Sequence, residues 1–353
     1  MQKSTFLTAL SIILLSVSCQ SNHIEVSRIW DEGYSAFPSI VEYQGKYYAA
    51  FREASSHIFN DNGQADGKAR VLVSKDGRKW KSAALLEKEG YDLRDPKISV
   101  TPDGRLMLTL GCSLYVDREL VSWYPHVAFS SDGKTFSDPE PVVFDENITD
   151  DREWIWRLTW HDGVGYGVTY GGHFALVRTT DGVNYETVTE LSLDKALNPG
   201  ESTIRFGKDG KMYMMTRCEG GDCMGRWGVS EAPYTEWEWK EMDQHLGGPD
   251  FIILDDGSVV AGTRYYFPRG KCRTILLTGD LSGDFEERYL LPSGGDTSYP
   301  GFIEVGDEIW MVYYSCHEYT DGDLHKTIYE YVPEEMSRPK ASIYLARIPK
   351  DLL

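Results

Sequence analysis

The chain has 353 residues, 41% hydrophobic and 26% charged, with 34 glycines, 22 tyrosines and 10 tryptophans. That is enough apolar material for one large all-β domain or two smaller ones. A formal net charge of −19 excludes nucleic acid and anionic membrane surfaces as partners, and any anionic ligand needs a local arginine cluster to hold it.

In chain order, Lys3 and the apolar stretch Phe6 to Val17 come first, a run too short to span a bilayer. Ser16-Val17-Ser18-Cys19 follows and resembles a bacterial lipoprotein signal. That resemblance implies a signal peptide over 1–18, acylation at Cys19, and a mature domain over 19–353 tethered to the cell envelope by lipid alone. The other cysteines are Cys112, Cys218, Cys223, Cys272 and Cys316, with no CxxC spacing. They read as single thiols, not a zinc site. The acidic run Asp145 to Glu153 reads as a solvated loop, not a calcium site. Neither a metal nor a cofactor is expected.

The mature chain then repeats one β-hairpin six times: Phe37 to Arg52, Asp95 to Gly111, Trp156 to Gly171, Glu201 to Arg217, Pro249 to Arg264 and Tyr299 to Ser315. The apolar anchors Ile40, Ile98, Leu158, Ile204, Phe251 and Phe302 recur about every fifty residues, a period that predicts propeller blades. Between hairpins lie Ser74-Lys75-Asp76-Gly77-Arg78-Lys79-Trp80, Ser130 to Phe136 and Thr179 to Tyr185, one plan of hydroxyl, Asp-Gly and aromatic. Ser230 to Trp237 and Thr278 to Phe285 are weaker copies. Such turns make rigid corners between third and fourth strands. After the sixth hairpin, Ala341 to Ile348 supplies a third strand and the chain ends one strand short. Ile24 to Trp30 is unassigned, so it completes that blade and leaves no unpaired edge. The expectation is one all-β domain, a six-bladed β-propeller acting as a monomer.

Connectivity puts the turns on one face of the disk and the starts of the first strands on the other. The second face gathers Arg52, Glu53, His57, Arg94, Asp95, Trp156, Arg157, His173, Glu201, Arg217, Asp250, Arg264, Tyr299 and His317. Charges at strand ends are costly unless paired or binding something, so this funnel mouth reads as a polar-ligand site. Trp123, Tyr124, Tyr265, Tyr266 and Phe267 lie in loops of the same face, able to stack on sugar rings.

The Asp-Gly corners resemble the Asp-box of the sialidase superfamily, and the order Glu201, Arg217, Arg264, Tyr299 across blades four to six resembles that family's catalytic order. The resemblance implies that Glu201 activates Tyr299 as nucleophile and that Arg217 and Arg264 belong to the triad gripping a sugar carboxylate. The family's Arg-Ile-Pro opening of blade one is Ala36-Phe37-Pro38 here, so the first triad arginine is absent and Arg52 or Arg94 stands in for it. The family's general acid lies in the loop after blade one's second strand, where Glu53, Asp61 and Asp66 are the candidates. The implied activity is exo-hydrolysis of a terminal acidic sugar, sialic acid or a relative, from a glycan.

An anomeric carboxylate repels a carboxylate nucleophile, which is why a neutral tyrosine suits that chemistry. Arg52, His57, Arg94, Asp95, Arg157, His173, Arg217, Asp250, Arg264 and His317 are the expected substrate-binding set. Three rival readings use the same mouth. Asp95, Glu201 and Asp250 could serve as paired carboxylates on a neutral sugar. Tyr299 or a histidine could act as base in a uronate lyase, and the aromatic loops could make a non-catalytic glycan-binding lipoprotein.

Overall fold

A computed structural model describes residues 23–150, 152–267, 272–319 and 340–353. The signal segment 1–18 and Cys19 lie outside the described residues. Short β-rich runs punctuated by turn residues fold into six radial sheets. Blade one is Tyr34–Tyr43, Lys46–Ala54, Lys68–Ser74 and Trp80–Leu86; blade two is Tyr91–Val100, Leu106–Val116, Glu119–Ser130 and Glu140–Pro141. Blade three is Glu153–His161, Val164–Gly171, Ala175–Thr179 and Asn184–Glu190, with Val143–Phe144 added in parallel at its outer edge. Blade four is Pro199–Phe206, Met212–Cys218, Met224–Ser230 and Glu238–His245, and blade five is Asp250–Ile253, Ser258–Tyr266, Cys272–Asp280 and Phe285–Leu290. Blade six is Thr297–Val305, Glu308–Ser315 and Ser342–Pro349, completed by Glu25–Trp30. That closing strand pairs antiparallel, with Glu25 opposite Arg347 and Val26 opposite Ala346. The ring closes as the strand count demands.

Each first strand touches the first strand of the next blade, from one to six and back to one, so the first strands line the axis. The core is correspondingly a series of wedges between neighbouring blades. Ala50, Val71, Leu108 and Leu110 fill the wedge of blades one and two. Val260, Leu276, Phe302 and Met311 fill that of blades five and six. The corners fold as their chemistry dictates. Asp76 Oδ1 accepts from the backbone N–H groups of Arg78 and Lys79 at 2.9 and 3.0 Å, and Ser74 Oγ accepts from Gly77 N–H at 2.9 Å. Asp132 and Asp181 repeat the arrangement.

One departure from the sequence reading positions the site. The first strands do not stop below the polar residues but run on through them by β-bulges. Two residues face one on the neighbouring strand at Phe37-Pro38, Asp95-Pro96, Trp156-Arg157, Gly200-Glu201 and Tyr299-Pro300. A bulge re-aims a side chain locally, and here it turns Phe37, Asp95, Trp156, Glu201 and Tyr299 toward the axis. Phe37, Asp95 and Tyr299 hold φ of 62°, 48° and 54°, a left-handed conformation costing about 1–3 kcal/mol at each non-glycine position.

Candidate active site

At the axis Tyr299 Oη donates to Glu201 Oε1 at 2.7 Å. Arg217 Nη1 lies 2.9 Å from Glu201 Oε2 and 3.1 Å from Tyr299 Oη, and the Gly248 N–H donates to Glu201 Oε2 at 2.7 Å. Burial pushes the Glu201 carboxyl up, but the Arg217 charge and the bonds from Tyr299, Arg217 and Gly248 outweigh it and hold it below the usual glutamate value. Burial and the Glu201 charge hold the Tyr299 phenol well above the ordinary tyrosine value, against Arg217 and Arg264. The phenol is therefore a neutral donor to an ionised carboxylate, the arrangement of a nucleophile beside its base.

Arg264 lies with its guanidinium 5.0 Å from the Tyr299 ring centre. It also donates to Asp296 Oδ1 at 3.1 Å and to the Thr297 carbonyl at 3.0 Å. Asp296 is a hub: Tyr314 Oη donates to it at 2.6 Å, His57 Nδ1 lies 2.6 Å away, and Tyr34 Oη bonds to it as well. On the blade-one side Arg52, fully buried, forms a two-point pair with Asp92 at 2.7 and 3.1 Å. Arg94 shares Asp92 at 3.3 Å and donates to the His57 carbonyl at 3.2 Å.

Asp95 differs from these. Its Oδ1 is buried without a hydrogen-bond partner, and burial raises its carboxyl above the usual value despite Lys97 and Arg94. Lys97 is buried two residues on, donates to the Phe37 carbonyl at 3.0 Å, and is pushed down to about 7 by burial and by Arg157.

The structure therefore brings Tyr299, Glu201, Arg217, Arg264, His57, Arg94 and Asp95 to one mouth. His173 joins a cavity of about 420 Å³ that Tyr170, Glu201 and Arg217 also line, with its Nδ1 2.6 Å from the buried Glu153. Arg157 and Asp250 lie deeper on the axis and face each other at 3.3 Å, with Arg205 at 2.6 Å, tying blades three, four and five together. Glu53 turns outward to Arg70 at 2.6 Å and Trp30 at 2.8 Å. Asp66 accepts from the Ser55 N–H at 3.0 Å and lines, with Tyr91 and Arg118, a second cavity of about 990 Å³ between blades one and two. Asp61 is exposed in the same loop. His317 sits against Tyr344 of blade six's third strand, 4.8 Å between ring centres, away from the axis.

Sequence reasoning missed Asp296, Asp92, Lys97, Glu153 and the Gly248 N–H. Asp296 had a signal: it stands one residue ahead of the sixth first strand, where every other blade's polar residues were sought. Lys97 had none, because its burial depends on Trp156 of another blade, 4.5 Å away.

No protein-family model and no curated protein matches the sequence. Solved structures do. A protein of unknown function from Dyadobacter fermentans is similar at TM-score 0.69 and 14% identity, covering 92% of this chain and 99% of its own. The NanB sialidase from Streptococcus pneumoniae is similar at TM-score 0.68 and 9% identity, covering 92% of this chain and 69% of its own. An α-L-arabinofuranosidase from Fusarium graminearum reaches TM-score 0.63 at 14% identity, with 91% and 96% covered. At such identities the likeness defines the fold, a sialidase-like propeller.

Proposed function

We propose that the protein is an exo-acting glycoside hydrolase whose nucleophile is Tyr299, activated by Glu201, and whose substrate is a glycan ending in an acidic sugar. The observation that carries this is the 2.7 Å bond between Tyr299 Oη and Glu201 Oε1, with Arg217 on both. Glu201 takes the phenolic proton as the oxygen attacks the anomeric carbon, and Arg217 stabilises the charge that develops. Propeller folds host unrelated activities, so support comes from this constellation, with solved sialidases and an arabinofuranosidase sharing the architecture. Acylation at Cys19 would place the enzyme on the cell envelope, facing extracytoplasmic glycans.

A second reading has its own observation. Ala36 stands where the sialidase opening motif carries arginine. The remaining guanidiniums already face carboxylates: Arg217 meets Glu201 and Glu219, Arg264 meets Asp296, and Arg52 and Arg94 meet Asp92. A clamp so neutralised favours a sugar without a carboxylate, attacked by Glu201 directly. Aryl glycosides of acidic and neutral sugars separate the two. On an acidic sugar Tyr299→Phe abolishes turnover while leaving binding, whereas undiminished hydrolysis by that variant removes tyrosine from the role. Loss in Glu201→Gln alone supports the second reading.

A further inference from the structure

The hydrolase reading needs a proton donor for the leaving oxygen, and none of the blade-one candidates is buried as a carboxyl that stays protonated should be: Asp61 is exposed, and Glu53 and Asp66 are half-buried. Glu53 is held by Arg70 and Trp30, and Asp66 by Ser55. Resting on that reading in either of its forms, we propose that Asp95 is the general acid that protonates the departing sugar oxygen and then serves as the base for water.

Two carboxylates at one mouth, Glu201 and Asp95, stand in opposite surroundings. Glu201 accepts hydrogen bonds from Tyr299 Oη, Arg217 Nη1 and Gly248 N–H. Those donors require it to be ionised, so it cannot be the acid. Asp95 sits in the equivalent bulge of blade two with a φ of 48°, and its Oδ1 is buried without a donor. A buried carboxylate without donors is costly, and protonation removes that cost. The charged and titratable groups facing it are Arg94 and Lys97 on its own strand, Arg52 of blade one, Arg157 and Tyr170 of blade three, and Glu201 of blade four. Burial is the largest influence and the Glu201 charge adds to it, while the cations oppose it. Two titratable groups driven in opposite directions by their surroundings is the pattern that divides base from acid.

The steps balance. The nucleophile oxygen bonds to the anomeric carbon, the glycosidic C–O bond breaks with its electron pair going to the aglycone oxygen, and that oxygen takes the Asp95 proton. Water then gives a proton to the Asp95 carboxylate as its oxygen displaces the enzyme oxygen from the anomeric carbon. When Tyr299 is the nucleophile, its phenolate regains the proton parked on Glu201. The net change is one water consumed and one glycosidic bond broken.

The test is Asp95→Asn in the full-length protein, assayed with phenyl and dinitrophenyl glycosides of the sugar that the wild type cleaves. The expected result is a loss of about a thousandfold on the phenyl glycoside, a far smaller loss on the dinitrophenyl glycoside, whose departure needs no proton, and recovery of turnover with added azide. Equal losses on both substrates, with azide without effect, overturn the role of Asp95 while an active wild type keeps the hydrolase reading. A wild type inert toward every glycoside overturns both. Infrared difference spectra give a readout without catalysis. A protonated-carboxyl band that persists above the ordinary aspartate range and that Asp95→Asn lacks supports the proposal, and no such band overturns it.

Discussion

The Phe37 ring packs 5.1 Å from the Tyr299 ring, centre to centre, and also stands edge-on to Tyr314 at 5.2 Å and His57 at 5.6 Å. Blade one thus contributes an apolar wall to Tyr299. The wall keeps water from the phenol and holds the ring by packing. Phe37→Ala should cost about 3–5 kcal/mol by opening a cavity in this cluster. Urea denaturation measures the loss, and a cost below about 1 kcal/mol would show the packing to be loose.

Gly248 is a second constraint on the same ring. It sits at φ +59°, and a Cβ added there would lie 2.4 Å from Tyr299 Cγ, while its N–H holds Glu201. Gly248→Ala should displace the Tyr299–Glu201 pair by about 1 Å and lower kcat by about a hundredfold, since a misplacement of that size costs as much. Thermal denaturation beside steady-state kinetics separates displacement from unfolding. An active, equally stable variant would mean the ring has room to move.

The Arg52–Asp92 pair is fully buried on both sides, and Gly67 is forced against it because a Cβ there would come 1.7 Å from Asp92 Oδ1. Removing Arg52 leaves buried Asp92 only the 3.3 Å contact with Arg94, so most of its compensation is lost. Arg52→Leu is expected to cost about 3–5 kcal/mol, and Arg52→Leu with Asp92→Leu markedly less than the sum. A double-mutant cycle in urea reads the coupling, and additive losses would contradict the pairing.

The fold was legible wherever local chemistry decides it. Gln44-Gly45 and Asp162-Gly163 are two-residue turns with both φ positive, as their composition demands. The missing sixth-blade strand followed from counting strands. The bulges were less visible, although proline follows the first bulged residue in Phe37-Pro38, Asp95-Pro96 and Tyr299-Pro300. Glu201, Arg217, Arg264 and Tyr299 could be named because each stands at a strand position matching a known order. Lys97 takes its character from Trp156 of another blade, and nothing in its own neighbourhood encodes that, whereas Asp296 stands one residue ahead of the sixth first strand and could have been found there. The Arg157–Asp250 tie shows the converse error: strand-top charges can belong to the scaffold rather than to the mouth.

Stability should vary with pH in two opposed ways. Asp92, Asp296 and Glu201 are held below their ordinary values, with burial opposing and cationic or hydrogen-bonding partners prevailing. Their contribution is complete above the unfolded values of about 4 and is lost as the pH falls through the folded ones. Asp95 and Glu153 are raised by burial, so their contribution is complete below about 4 and fades as the pH rises through their folded values. His126, His245, His317 and Lys97 are lowered by burial and oppose that rise, so the raised carboxyl is read as a difference between proteins. The wild type should gain stability in urea relative to Asp95→Asn as the pH is lowered from neutrality toward about 4, and a difference constant with pH would place the raised group elsewhere.

Catalysis should follow the same division of the two carboxylates. Glu201 must be ionised to accept the Tyr299 proton, and Arg217 with the Gly248 N–H keeps it so into acid. Asp95 must be protonated, and burial extends that state upward. The kcat/KM profile on an aryl glycoside is then a bell, its acid limb set below the ordinary glutamate value and its basic limb above the ordinary aspartate value. Asp95→Asn should erase the basic limb on the phenyl glycoside and keep the acid limb, because only the base remains to titrate. Retention of both limbs in that variant would assign the basic limb to another group, and with it the proton that leaves with the sugar.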